Sequence, residues 1–140
     1  MSLLPEPAIN RLTSRIIKAA IEVHKQLGAG LLESIYFACL VMELRAEQLS
    51  VITRMRLPVI YKGVTLDNTF EIDLVVNDTV VVEVKAVQAV APVHEAQLLT
   101  YLKLAGYPIG LLINFNVPLL KDGVSRVINK NKLRSSVPPC

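Results

Sequence analysis

Two strand-like runs, Phe70-Glu71-Ile72-Asp73-Leu74-Val75-Val76 and Val80-Val81-Val82-Glu83-Val84-Lys85-Ala86-Val87, are separated only by Asn77-Asp78-Thr79. So short a connection joins neighbouring antiparallel strands. Both runs are apolar enough to be buried, yet each carries charge. Burying an unpaired charge is costly, so charges in such strands are expected to be paired or bound to a metal. An acid on one strand, followed by acid-x-lysine on the next, is an arrangement for metal-dependent phosphodiester chemistry.

The loop length decides whether these groups can meet. A two-residue turn at Asn77-Asp78 sets Val76 opposite Thr79 and sends Asp73 and Glu83 to different faces. A three-residue loop sets Val76 opposite Val80 and Asp73 opposite Glu83, with Cβ atoms roughly 5 Å apart. Asn and Asp both tolerate positive φ and support either loop. The three-residue register is predicted because it sorts the side chains. Phe70, Ile72, Leu74 and Val76 then join Val80, Val82, Val84 and Ala86 on one apolar face, and Asp73, Glu83 and Lys85 share the other. The same register sets Lys85 against Glu71, so the competing expectation is a cross-strand ion pair without chemistry. Two adjacent carboxylates repel, and a divalent cation between them relieves this. Mg²⁺ (or Mn²⁺) suits carboxylate, carbonyl and water ligands. Lys85 can orient or deprotonate a water, or offset charge on a phosphate.

The rest of the chain frames this hairpin. Leu12, Ile16, Ala20, Val23 and Leu27 recur at helical spacing, with Asn10 as the expected cap and Gly28 and Gly30 as the stop. A second helix is expected from about Leu31 to Gln48, with Glu33 the odd member of a stripe of Tyr36, Phe37, Leu40 and Leu44. Val51 to Tyr61 reads as a strand in which Pro58 marks an edge or bulge. Lys62-Gly63-Val64 reads as a turn. A third helix runs from Pro92 to near Gly106, then a buried strand from Ile109 to Phe115, a turn at Lys121-Asp122-Gly123 and a short strand from Val124 to Ile128. The order predicts an α/β (α+β) fold, a mixed sheet with helices against it. A single domain is expected over residues 1–140, its core about 11–128 and its tail 129–140.

Composition narrows the classes. At 52% hydrophobic without Trp, the core is aliphatic. No apolar run reaches the roughly 18–20 residues of a membrane span, and no secretory signal is expected at the start. Cys39 and Cys140 make no disulfide framework and are expected reduced in a cytoplasm. The net charge is +3, and Lys121, Arg126, Lys130, Lys132 and Arg134 crowd the C-terminal end. Such a patch can hold phosphates, with Arg126 the substrate-binding candidate, or it is a solvated tail. On the third helix His94, Gln97 and Tyr101 share one stripe. They are candidates to position a water or substrate, against the plainer reading of an exposed His and an amphipathic Tyr. His24 is expected to be structural.

Gly30-Leu31-Leu32-Glu33-Ser34-Ile35-Tyr36 is a Gly-x-x-Glu-x-x-Tyr signature. Together with Asp73, Glu83-Val84-Lys85, His94-Glu95-Ala96-Gln97 and Leu112-Ile113-Asn114-Phe115, it resembles the GxxExxY protein family of the PD-(D/E)XK nuclease superfamily, over about Arg11 to Ile128. The resemblance implies a four-stranded mixed sheet flanked by helices. It implies that Glu33 is the first-helix acid, Asp73 and Glu83 the metal-binding acids, Lys85 the catalytic lysine and Gln97 the polar residue of the following helix. Members of that family often carry a basic residue where this chain has Glu71, which adds negative charge and can hold Lys85 in an ion pair.

The expected function is a Mg²⁺-dependent nuclease. Asp73, Glu83 and the Val84 carbonyl would bind metal, Glu33 would act through a water or as a further ligand, and Gln97 would place the water that Lys85 assists. His94, Tyr101 and Arg126 would contact nucleic acid, most simply DNA, and a homodimer would allow both strands to be cut. The alternative is a catalytically silent nucleic-acid-binding or protein-assembly module that keeps the fold.

Overall fold

The computed structural model describes residues 4–132. Arg134 and the tail from Ser135 to Cys140 lie outside the described residues. Helix α1 (Glu6–Leu27) starts earlier than the expected cap at Asn10. Pro5 precedes its first turn and Pro7 sits within it; a fixed φ suits that turn, and the N–H that proline lacks would be unsatisfied there anyway. Asn10 lies inside the helix, where its carbonyl accepts from Thr13 Oγ1 at 3.0 Å. Helix α2 (Glu33–Ala46) is shorter than expected at both ends. Leu32 is extended, and Gln48 has a φ of 65°.

Strands β1 (Val51–Tyr61), β2 (Val64–Val76) and β3 (Val80–Lys85) form an antiparallel meander. Helix α3 (Pro92–Ala105) then crosses the sheet, so that β4 (Ile109–Asn114) returns parallel to β3. A 3₁₀ turn (Leu120–Gly123) leads into β5 (Val124–Ile128), antiparallel to β4. The sheet order is β1-β2-β3-β4-β5, so β5 makes five strands where the resemblance implied four. Pro58 lies on an edge strand, next to a register slip between Pro58 and Ile60. Lys62 and Gly63, both at positive φ, form a two-residue turn, and Val64 already belongs to β2. Among the described residues no helix is long and apolar enough to cross a membrane.

Both sheet faces are covered. Ile16, Ala20, Leu40 and Leu44 of α1 and α2 pack on Leu74, Val76, Val80, Val82 and Val84. Leu98 and Leu102 of α3, with Tyr107, pack on Ile72, Val75, Val81 and Leu112. Side chains on one strand face should recur every second residue. Leu74 and Val76 obey this on the α1/α2 side, but Phe70 and Ile72 lie with α3. The single apolar face expected for Phe70 through Val76 is therefore split. The ladder between β1 and β2 explains it. Thr53 pairs with Leu74 and Met55 with Ile72, but Arg54 drops out opposite Asp73 and takes a φ of 50°. The alternation reverses at that kink.

Tyr36 ties α2 to the sheet. Its hydroxyl donates to the Gly28 carbonyl at 2.6 Å and accepts from Leu31 N at 3.1 Å. Its ring stacks on Phe115 at 4.7 Å. Phe115 N in turn donates to the Lys85 carbonyl at 2.9 Å. Tyr36→Phe keeps the stack but orphans both backbone groups, and it should lower unfolding free energy by about 1–3 kcal/mol in a denaturant titration.

Candidate functional site

The register around Asn77-Asp78-Thr79 places the two acids together. Val76 pairs with Val80, Val75 with Val81 and Leu74 with Val82. Asn77 and Asp78 both take positive φ, and Thr79 N donates to the Val76 carbonyl. Asn77 also reaches back to exchange two hydrogen bonds with Ser50, which fixes the loop against the start of β1. The same count sets Asp73 opposite Glu83. There the backbone ladder gives way to side chains. Asp73 N donates to Glu83 Oε1 at 3.3 Å, and Val84 N donates to Asp73 Oδ2 at 3.0 Å.

The two carboxylates thus occupy an opening between β2 and β3. In a strand, the N–H and C=O of one residue point to the same edge. Val84 N points at Asp73, so the Val84 carbonyl faces the same opening. The opposite edge of β3 is fully engaged: its six residues pair with β4, and the Lys85 carbonyl accepts from Phe115. Asn114, buried at the end of β4, extends that support. Its amide exchanges two hydrogen bonds with the backbone of Val87 and accepts a third from Asn116 N. A polar residue closing an apolar run was the visible signal for this clamp, which sequence reasoning left without a role.

Glu83 is buried, and its carboxyl is pushed up to about 8. Burial is the main cause, and the charge of neighbouring Asp73 adds to it; Lys85 pulls the other way. Lys85, half-buried at the end of β3, is therefore close enough to act electrostatically on the pair. Tyr101 of α3 feels the same acids. Its phenol is raised above the usual value first by burial and then by Glu83 and Asp73. Its ring stacks on Phe70 at 5.0 Å, which joins α3 to β2 beside the acids.

Other candidates fall elsewhere. Glu71 does not pair with Lys85. It lies between Arg54 and Arg56 at 3.8 and 3.5 Å, because the reversal at Asp73 turns it to the α2 side. Arg126 is not beside the acids. Its guanidinium clasps Asn10 Oδ1 and Thr13 Oγ1 of α1, both at 3.0 Å, and its ladder partner Leu111 packs on the α1/α2 face. His94 caps α3: its Nδ1 accepts from Ala91 N at 3.0 Å. Gln97 is exposed one turn before Tyr101, and Glu33 is exposed at the start of α2. Among the described residues no three acids, histidines or cysteines gather as a metal cluster, so Glu33 does not join Asp73 and Glu83 directly. His24 Nε2 is bonded to the Val117 carbonyl at 2.8 Å.

The donor set itself fits a hard divalent cation. Two carboxylates that repel one another, together with one backbone carbonyl, leave places for the waters that Mg²⁺ retains. A family model, that of the PD-(D/E)XK nuclease superfamily, matches residues 10–127. No curated protein and no solved structure matches the chain.

Proposed function

The chain belongs to the PD-(D/E)XK nuclease superfamily, and from that premise we propose that it is a metal-dependent nuclease whose working groups are Asp73, Glu83, Val84 and Lys85. The observation that supports this most is the opening between β2 and β3. There two carboxylates replace the backbone ladder and a lysine stands at its end. A strand pair built only for stability would continue its ladder there. The Gly-x-x-Glu-x-x-Tyr signature supports membership in the GxxExxY family within this superfamily.

Asp73, Glu83 and the Val84 carbonyl would hold Mg²⁺ or Mn²⁺; when bound, the ion supplies positive charge for the phosphate and an acidified water. Glu83 must give up its proton for this, so its raised value makes loading pH-dependent. The Lys85 ammonium offsets the charge that develops on the transferring phosphate and orients the attacking water. The phenol of Tyr101, which feels both acids, and the exposed amide of Gln97 one turn before it on α3 would position water and substrate. Glu33, exposed at the start of α2, would act through a water. The substrate is nucleic acid, with DNA the first to test, and cutting both strands of a duplex takes a second copy or a second visit.

The test is cleavage of single-stranded, duplex and branched DNA and of RNA with Mg²⁺ or Mn²⁺. Activity should disappear in Asp73→Ala and depend on added metal. Activity that survives in both Asp73→Ala and Lys85→Ala overturns the assignment. A second reading draws on the way both acids bond to strand amides. In a silent binding module that arrangement would be permanent, with salt-dependent nucleic-acid binding and no cleavage under any metal.

A further inference from the structure

Arg54 is in a conformation that strand residues rarely take. Its φ of 50° removes it from the ladder, and such an outlier in a non-glycine residue points to a constraint elsewhere. Its guanidinium lies 4.5 Å above the Phe37 ring of α2 and 3.8 Å from Glu71. Arg56, two residues on, approaches the same carboxylate at 3.5 Å. Two arginines therefore share one acid. Both separations exceed the 2.7–2.9 Å of a charge-assisted hydrogen bond, so most of the ten guanidinium N–H donors lack a protein partner at that carboxylate. The side chains are 59% and 74% exposed, and loose exposed pairs of this kind contribute little to stability. The cluster is a surplus positive charge, and Arg54 lies on β1 directly opposite Asp73.

The surrounding topology gives it a direction. Beyond Leu74 and Val82 the β2–β3 ladder stops, while β1 and β2 continue together to the turn at Lys62-Gly63. The β1–β2 hairpin thus projects past the opening that holds Asp73 and Glu83, and Arg54 and Arg56 lie at its base. That base faces α2, so a polyanionic chain leaving the opening on the α2 side would run along it. Guanidinium groups suit phosphate oxygens through paired donors, and a group stacked on an aromatic face is already held flat for this.

We propose that Arg54 and Arg56 form a phosphate-binding site for the backbone of a nucleic-acid strand, and that Glu71 occupies it as a resident counter-ion which the strand displaces. The proposal rests on the nuclease reading for its ligand, but it concerns binding and not cleavage. Glu71 in this role sets how strongly the strand is gripped.

Fluorescence anisotropy of a labelled single-stranded oligodeoxynucleotide, in EDTA and over a series of salt concentrations, tests it without turnover. Wild-type affinity should fall with salt. Arg56→Ala should weaken binding and lower the salt slope by about 0.7, the contribution of one phosphate contact on single-stranded DNA. Glu71→Gln should tighten binding about 3- to 5-fold by removing the competing ion pair. Arg56 is the more exposed arginine and has no aromatic stack, so its variant keeps the fold even if Arg54→Ala does not; a thermal melt verifies this. Wild-type affinity and slope in Arg56→Ala, weaker binding in Glu71→Gln, or no binding by the wild type overturns the proposal. None of these outcomes decides whether Asp73 and Lys85 support cleavage, which the metal-dependent assay settles separately.

Discussion

Replacing Lys85 with alanine is expected to lower the rate of metal-dependent cleavage by about 10²–10⁴-fold, the range for removing one positioned acid–base or charge-stabilising group. Lys85 ends β3, where its backbone is held independently of its side chain. Its carbonyl accepts from Phe115, its ladder partner is Asn114, and Asn114 clamps Val87 beyond it. Truncation therefore leaves the strand in place, and the loss reads as lost chemistry. Lys85→Arg should recover little, because a planar guanidinium is not a compact ammonium. A single-turnover assay at saturating Mg²⁺ separates this from weakened metal binding. A rate within about 3-fold of wild type would remove Lys85 from the mechanism.

The Glu83 carboxyl stands near 8 in the folded protein, against 4.5 for the free side chain. A group whose folded value is raised binds its proton more tightly when native. Its contribution to stability is fully present below about pH 4.5 and is lost as pH rises through 8. Without metal, unfolding free energy should therefore fall by up to about 1.4 kcal/mol per pH unit across that window. Glu83→Gln keeps an acceptor for Asp73 N without the charge. It should match the wild type near pH 5 and exceed it by a few kcal/mol at pH 9. Denaturant titrations in EDTA at pH 5, 7 and 9 measure this. Parallel pH profiles for the two proteins would show that burial does not hold the proton on Glu83. Greater stability together with lost function is the expected signature of a strained working site.

Much of this arrangement was legible in the chain. The hairpin register followed from a three-residue loop that sorts the acids from Val80, Val82 and Val84, and the structure has that register. The parallel return of β4 followed from the helix placed before it. The rest depends on single backbone angles and long-range partners. Nothing in the residue types around Arg54 signals a positive φ, yet that kink reverses the alternation of β2 and separates Glu71 from Lys85. Arg126 looked like part of a basic surface because sequence proximity groups it with Lys121 and Lys130. Its actual partners, Asn10 and Thr13, are more than a hundred residues away. Tyr36 completes the motif that carried the resemblance, but its hydroxyl works on the backbone of the α1–α2 connection.

Asp73 and Glu83 are proposed to form one metal site. The most direct measurement is a calorimetric titration of Mn²⁺ into wild type and Glu83→Gln at pH 7, repeated in two buffers of different ionisation enthalpy. The wild type should bind one ion with release of a proton, because Glu83 must ionise to coordinate it. Glu83→Gln should bind at least about 10-fold more weakly and release none. Equal affinity in the two proteins, or no binding by the wild type at millimolar Mn²⁺, would contradict the site.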